Sequence, residues 1–141
     1  MPRVLFALVL LFASLETTAA EGIEAGAARV DITPPELPVI RNGSFLEASV
    51  DQVIDRLHSR CLVLREPESG TRVAIAVVDT CMIPRPLCDT IKKEVTARTG
   101  IPGDHILIAA THCHSAPSVM HFCLGSRADP AYTAFLPPLV A

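Results

Sequence analysis

The chain has 141 residues, a length that allows one modest domain and leaves no room for a second core. Its 12 Lys and Arg residues against 15 Asp and Glu residues leave a formal charge of −3. A chain of this charge has no basic field with which to hold a phosphate backbone, so we expect no nucleic-acid partner.

Residues 1–20 have the three parts of a secretory signal peptide. Arg3 precedes an apolar run from Val4 to Leu15, and the small residues after Thr17 place Thr18 and Ala20 at the −3 and −1 positions of a cleavage site. A bilayer span needs about 20 apolar residues, so a transmembrane anchor fits less well. The sequence predicts export, to the periplasm or the medium, with residues 21–141 as the mature chain.

Three stretches early in the mature chain predict strands. The run "GAARVDITPPELP" alternates and then stops at its prolines, and we expect an extended loop through Asn42 and Gly43. The next two runs, "LHSRCLVLRE" and "TRVAIAVVDT", are separated by the turn residues "PESG" and indicate a β-hairpin. The second run is nearly all apolar, which suits a strand covered on both faces.

A strand, helix, strand unit follows over residues 72–110. Leu87, Ile91 and Val95 recur at four-residue spacing and predict a helix over 86–99, which Gly100 ends. The strand "HILIAA" comes next, and such units form parallel pairs through a right-handed crossover. Asp79 and His112 are therefore expected at the same edge of the sheet, where α/β folds bind ligands.

The stretch "AATHCHSAPS" places His112 and His114 on either side of Cys113. If the extended conformation continues past Ala110, the two histidines face one point and Cys113 faces away. Two imidazoles on one face are half of a tetrahedral zinc shell, although buried histidines are also common as hydrogen-bonded core residues. Spacing alone leaves both interpretations open.

The order and spacing of several runs resemble the N-terminal part of the neutral/alkaline non-lysosomal ceramidase family. These runs are "GAARVDITPP", "DRLHSRCLVL", "TRVAIAVVDTCMIPR" and "GIPGDHILIAATHCHSAPS". The most specific piece, "ATHCHSAP", resembles the family's A-T-H-T-H-S-[GA]-P, with Cys113 where the family usually has Thr. The resemblance covers residues 26 to about 136.

This resemblance implies a zinc-dependent amide hydrolase that releases a fatty acid and a sphingoid base from N-acylsphingosine, a lipid amide met at a membrane surface. His112 inherits the role of zinc ligand, and His114 that of a catalytic neighbour that hydrogen-bonds the substrate or the developing oxyanion. Zinc suits this chemistry because it lowers the pKa of a bound water and polarises the amide carbonyl. The implied fold is α/β with a mixed sheet, as the N-terminal part of a larger hydrolase domain.

Two residues near the motif have open roles. Asp79 could orient a histidine of the site through its free ring N–H, or it could cap the loop after its strand. Cys113 could be a soft zinc ligand if it turned inward, but alternation along a strand favours the outward position. We expect Cys61, Cys81 and Cys88 to be small core residues, since free cysteines are among the most buried residue types.

The remaining zinc ligands implied by the resemblance are a His, a Glu and a Tyr that lie beyond residue 141 in longer family members. In this chain "DPAYTAFLPPLVA" predicts a helix capped by Asp129 with Pro130 first, interrupted at Pro137 and Pro138. Two hypotheses follow. The chain is the N-terminal piece of a secreted zinc amidase, or it is a small exported α/β protein without catalysis that binds a metal or a lipid weakly.

Overall fold

The computed structural model describes residues 22–121 and 126–141. The predicted signal peptide lies outside the described residues, as does Cys123. None of the helices in the described ranges is long and apolar enough to cross a membrane.

The described residues form a mixed α/β fold. The strands are β1 (Glu24–Asp31), β2 (Val39–Arg41), β3 (Ala48–Val50), β4 (His58–Arg65), β5 (Arg72–Val78) and β6 (Ile106–Ala110). The helices are α1 (Arg85–Thr99), α2 (Pro130–Phe135) and α3 (Pro137–Val140), with a short 3-10 helix at Gly103–His105.

The main sheet has four strands in the order β1-β4-β5-β6. β4 pairs antiparallel with both β1 and β5, which confirms the predicted hairpin. β5 and β6 pair in parallel, with Ala74 opposite Ile106 and Val78 opposite Ala110. The predicted strand, helix, strand crossover is therefore confirmed, and the mixed sheet follows from joining a local hairpin to a parallel pair.

Helix α1 connects β5 to β6. It starts at Arg85 after Pro84 and ends at Gly100, whose φ of 72° is the left-handed conformation that glycine adopts without strain. The Gly100 N–H donates to the Thr96 carbonyl at 2.9 Å, which satisfies one of the last free carbonyls of the helix. The helix boundaries agree with the sequence prediction to within one residue.

The main hydrophobic core joins the end of β5, helix α1 and the C-terminal helices. Its buried members are Ile32, Val78, Leu87, Ile91, Val119, Tyr132 and Leu136. On β5 the buried face carries Ala74, Ala76 and Val78, while Val73 on the other face is 37% exposed. The expectation that β5 is covered on both faces is therefore wrong for the described residues, which bury one face and leave the other half-exposed.

Residues 39–50 differ from the predicted extended loop. β2 and β3 pair antiparallel, with Val39 opposite Val50 and Arg41 opposite Ala48, so Asn42 and Gly43 lie in the connection of a small two-stranded ribbon. The prolines before Val39 led to the loop prediction, since they end the preceding strand. The ribbon was not recognised because each of its strands has only three residues, too few to show a period.

Helix α2 is capped as predicted. Asp129 Oδ1 accepts a hydrogen bond from the Tyr132 N–H at 3.0 Å, and Pro130 takes the first helical position. The other carboxylate oxygen, Oδ2, accepts from the Ile40 N–H at 3.0 Å. One buried carboxylate therefore ties the C-terminal helices to the ribbon.

Tyr132 anchors the C-terminal helices to the main sheet. Its ring is 2% exposed, and its hydroxyl donates to the Ile32 carbonyl at 2.8 Å. Burial, with the charges of Asp79 and Asp31, raises the pKa of Tyr132, so the hydroxyl stays protonated and keeps donating.

Replacing Tyr132 by Phe is expected to lower the free energy of unfolding by about 1–3 kcal/mol, because the Ile32 carbonyl loses a buried partner. Urea unfolding of the full chain measures this change. Thr90→Val is the matched control, since the exposed Thr90 hydroxyl also donates to a backbone carbonyl, that of Pro86, but water replaces that bond. Equal losses for the two variants would contradict the anchoring role of Tyr132.

Glu47 and Arg127 form a multidentate ion pair between the ribbon and the segment before α2. The carboxylate accepts from Arg127 Nη2 at 2.7 Å, from Nε at 2.9 Å and from the backbone N–H at 3.1 Å. These bonds lower the pKa of Glu47 from 4.5 to about 2. The folded state therefore holds the charged carboxylate more strongly than the unfolded state does.

The difference in stability between the wild-type chain and Glu47→Gln is expected to depend on pH. Because the pKa of Glu47 is depressed on folding, its contribution is fully present above pH 4.5 and is lost as the pH falls to about 2. Unfolding midpoints of both chains across this range provide the measurement. If the difference between the two midpoints stayed constant from pH 4.5 to about 2, the pKa of Glu47 would not be lowered on folding.

Candidate metal centre

The residues after β5 and after β6 meet at one edge of the sheet, as expected for the carboxyl ends of parallel neighbours. The Thr111 N–H donates to the Val78 carbonyl at 3.0 Å, and the Cys113 N–H donates to the Thr80 carbonyl at 3.2 Å. These bonds continue the pairing of the two strands beyond their ends. They bring Cys81, directly after β5, next to the motif histidines that follow β6.

His112 adopts a left-handed backbone conformation, with a φ of 61°. Among the described residues, no other residue apart from glycines has a positive φ. The extended conformation therefore does not continue through His112, and the condition under which strand alternation would bring the two histidines to one face is not met. A side chain in this region costs free energy, and such residues cluster where function requires a particular orientation. His112 and His114 are nevertheless brought together, by a turn instead of by strand alternation.

The ring of His112 is oriented by the backbone of Cys81. Nδ1 of His112 lies 2.9 Å from the Cys81 carbonyl oxygen. A carbonyl only accepts hydrogen bonds, so Nδ1 carries the proton and donates, and the lone pair of the neutral ring is on Nε2. This arrangement is typical of histidines that bind a metal through Nε2.

The ring of His114 packs edge-on against that of His112, with centroids 4.7 Å apart and planes at 75°. Both side chains are exposed, so an ion or a substrate can reach them from solvent. The His114 carbonyl accepts from Arg41 Nη1 at 3.1 Å. Strand β2 therefore holds the second histidine of the motif.

The backbone of the ribbon pairs with the segment after the motif. The Asn42 N–H donates to the Ala116 carbonyl at 3.1 Å, and the Ser118 N–H donates to the Ile40 carbonyl at 2.7 Å. The buried side chain of Asn42 also donates to Ser118 Oγ at 3.0 Å. The motif loop is thus held between the main sheet on one side and the ribbon on the other.

Gly43 makes this close approach to His114 feasible. A Cβ atom on Gly43 would lie 2.5 Å from His114 Cβ and Cγ and 2.6 Å from its Cα, distances that no side chain tolerates. The φ of Gly43 is also positive, at 93°. Sequence reasoning placed Gly43 in a loop without identifying this contact, because the two residues are 71 positions apart.

Cys81, His112 and His114 form a group able to hold a metal ion. One donor atom from each residue lies within 4.8 Å of the other two. A thiol and two imidazoles are ligands that suit zinc. The donor set therefore suits a zinc ion, and it includes Cys81, which the sequence assigned only to the core.

Cys81 is 1% exposed, as expected for a core cysteine. Cys61 and Cys88, grouped with it in the sequence analysis, are only half-buried. Burial raises the pKa of both of these thiols. Its position behind the histidines distinguishes Cys81 from the other two. The sequence placed the end of β5 at the same edge as His112, but it did not indicate which side chain after Asp79 faces the histidine.

Asp79 lies at the predicted edge, but its carboxylate binds elsewhere. Oδ2 accepts from the His58 N–H at 2.9 Å and from Arg60 Nη1 at 2.9 Å. The ring of His112 is instead oriented by the hydrogen bond that its Nδ1–H donates to the Cys81 carbonyl. A role of Asp79 in orienting a histidine stays a prediction.

Cys113 lies outside the metal-binding group. Its sulfur is 3.3 Å from Ser115 Oγ, and both residues line a neighbouring cleft of about 550 Å³. Apolar side chains supply much of the wall, among them Leu37, Val39 and Ile54. The cleft has a volume in the usual range for small-molecule sites, about 300–1,000 Å³.

Comparison with known proteins supports the resemblance seen in the motif. No model of a known protein family matches the chain. It is 29% identical over 126 residues to neutral ceramidase from Drosophila pseudoobscura pseudoobscura, a match that covers 84% of this chain and 18% of that protein.

The fold agrees with solved ceramidase structures. The crystal structure of neutral ceramidase from Pseudomonas aeruginosa matches with a TM-score of 0.72 at 21% identity, over 84% of this chain and 20% of that one. A structure of a ceramidase complexed with C2 gives a TM-score of 0.70 at 21% identity with the same coverage. The chain thus spans about a fifth of the length of these relatives, and its mixed α/β fold matches a small part of a larger domain, as predicted.

Proposed function

We propose that this chain is the N-terminal part of a zinc-dependent amide hydrolase that cleaves N-acylsphingosine into a fatty acid and a sphingoid base. The observation that carries the proposal is the orientation of His112. Its Nδ1–H is held by the Cys81 carbonyl at 2.9 Å, at the carboxyl edge of two parallel strands, in a fold similar to that of neutral ceramidase. That bond leaves Nε2 available for a metal.

In this proposal His112 Nε2 and ligands from residues beyond 141 hold the metal. Zinc, when bound, supplies the Lewis acidity that polarises an amide carbonyl and lowers the pKa of a water molecule to near 7. The reaction breaks the amide C–N bond, adds the oxygen of water to the acyl carbon and returns a proton to the leaving amine. His112 contributes a fixed ligand atom, because its ring cannot turn without losing the bond to Cys81.

His114 is proposed to stabilise the negative charge that develops on the carbonyl oxygen. Its exposed ring stands edge-on to His112, 4.7 Å away between centroids, so a carbonyl group brought to His112 lies beside it. A preorganised donor of this kind acts mainly in the transition state. The contacts of His114 with Gly43 and Arg41 hold it in that position.

The neighbouring cleft supports a lipid substrate. Its wall is largely apolar, Cys113 and Ser115 of the motif segment form part of it, and Ile54 at its margin is 92% exposed. An alkyl chain is a suitable occupant, since it covers apolar side chains that otherwise face water. We therefore place one hydrocarbon chain of the substrate in this cleft.

The test is an assay of the native gene product, purified from its own cells and their medium. We expect its intact mass to be several times the roughly 13 kDa of residues 21–141 alone. We further expect bound zinc and release of fatty acid from N-acylsphingosine that stops on chelation and returns with zinc. A product near 13 kDa without this activity would contradict the proposal and favour the small binding protein.

A further inference from the structure

The two nitrogen atoms of the His112 ring face different surroundings. The side chain of His112 is exposed, and its Nδ1 faces Cys81, whereas the lone pair of the ring lies on Nε2 in the orientation described above. The sulfur of Cys81 lies 3.7 Å from Nδ1, and the Cys81 carbonyl oxygen lies 2.9 Å from it. The proposed hydrolysis uses Nε2 and leaves the sulfur without a role.

The separation of Sγ and Nδ1 matches what a shared metal ion requires. An ion at about 2.3 Å from sulfur and about 2.0 Å from nitrogen, with a tetrahedral angle between them, places these two atoms about 3.5 Å apart. The observed 3.7 Å is within a few tenths of an ångström of this value. The Cys81 carbonyl oxygen lies 2.9 Å from the same nitrogen in the direction of its N–H bond, so an ion on Nδ1 breaks this hydrogen bond and turns the His112 ring.

His114 supplies a third donor to the group. Its donor atom lies within 4.8 Å of those of Cys81 and His112. The exposed side chain of His114 can approach by rotation about its own bonds, and the solvent side of the group gives an ion a path of entry. A thiolate with two imidazoles favours thiophilic ions such as Zn²⁺ and Cd²⁺.

We propose that Cys81 Sγ, His112 Nδ1 and His114 form a second metal position, specific for thiophilic divalent ions, that competes with the Nε2 position of His112. A neutral imidazole has one lone pair, so the ring serves Nε2 with the proton on Nδ1, or Nδ1 with the proton on Nε2. An ion bound with Cys81 therefore withdraws His112 from the position it takes in hydrolysis. The consequence for activity rests on the proposed function, whereas the binding itself does not.

Cobalt titration of the full chain tests the position directly, because a thiolate ligand gives a near-ultraviolet charge-transfer band that imidazole ligands do not. The starting protein keeps Cys81 alone, with the other thiols replaced by serine: Cys61, Cys88, Cys113 and Cys123. We expect the band to saturate at one ion per chain. We expect Cys81→Ser in this background to abolish the band, and His112→Ala to weaken binding at least about tenfold.

Restoring Cys113 to a chain that lacks Cys81 is the matched control, because this thiol is next to both histidines in sequence but bonds Ser115 instead. That chain should show no charge-transfer band. Visible cobalt absorption without the band in the Cys81 chain would mean that the ion binds imidazoles only, which overturns the proposal and leaves the proposed hydrolase intact. The absence of any cobalt spectrum at saturating concentrations also overturns it.

A second measurement covers the case in which Cys81→Ser prevents folding. In the chain that keeps Cys81 alone, CdCl₂ should slow alkylation of the thiol, and His112→Ala should remove this protection. Alkylation that proceeds at the same rate with and without cadmium overturns the proposal. Failure of the hydrolase proposal is seen separately, as a native product without zinc-dependent release of fatty acid.

Discussion

His112→Ala is expected to lower kcat/KM for N-acylsphingosine hydrolysis by the native gene product at least about a thousandfold. Loss of a metal ligand removes several kcal/mol of transition-state stabilisation, and each 1.36 kcal/mol is a tenfold change in rate. The zinc content per protein should fall in parallel. Fluorogenic ceramide hydrolysis and metal analysis of the same preparation provide the two measurements.

His105→Ala is the matched control for this variant. His105 precedes β6, at the end of the strand opposite to the motif, and its Nδ1 bonds the Arg72 carbonyl at 3.0 Å. Its removal should affect stability slightly and leave zinc content and kcat/KM near the wild-type values. If His112→Ala kept its zinc and its activity, or if both variants lost activity equally, His112 would not be the ligand that the proposed function requires.

Gly43→Ala is expected to destabilise the chain by about 3 kcal/mol or more and to displace the motif loop. The substitution places a methyl group 2.5 Å from the Cβ and Cγ atoms of His114 and also forces an L-residue to a φ of 93°. The positive φ, which an alanine backbone adopts only with strain, costs about 1–2 kcal/mol; this is the backbone term. Overpacking of the methyl group against His114 adds about 1–3 kcal/mol. Urea unfolding measures the total, and cobalt binding reports the displacement of His114.

Gly70→Ala separates these two terms. Gly70 also has a positive φ, 68°, but a Cβ atom there has no neighbour within 4 Å. Its cost should therefore be the backbone term alone, about 1–2 kcal/mol, with cobalt binding unchanged. If Gly43→Ala cost no more than Gly70→Ala and left cobalt binding intact, the close packing of His114 on Gly43 would not be needed to position the site.

The parts of this fold with a strong local pattern were predictable. Helix α1 was predicted to within one residue because Leu87, Ile91 and Val95 repeat at helical spacing and Gly100 supplies the stop. The hairpin of β4 and β5 was predicted from an alternating run, an apolar run and the turn residues between them, and the parallel pair of β5 and β6 from the strand, helix, strand unit. The ribbon of β2 and β3 lacked such a pattern and was missed.

The candidate site was predictable only in part, because its geometry comes from residues far apart in the chain. His112 and His114 were identified from their spacing and from the resemblance to ceramidases. The extended chain along which alternation would bring them together is not observed, since His112 has a φ of 61°. Cys81 was assigned to the core, because a lone cysteine after an apolar strand carries no local sign of a nearby histidine.

The order of the residues along the chain was sufficient to predict the β4–β5 hairpin, the crossover helix and the edge at which the histidines lie, since these depend on periodicity and on short turns. The placement of Gly43 under His114 and of Cys81 beside His112 was decided by the tertiary structure. Those contacts arise from the pairing of β2 with the segment after the motif and of β5 with β6. The first pairing has no local sequence pattern behind it. The second was predicted, but which side chains meet beyond the ends of the two strands depends on the packing of the whole chain.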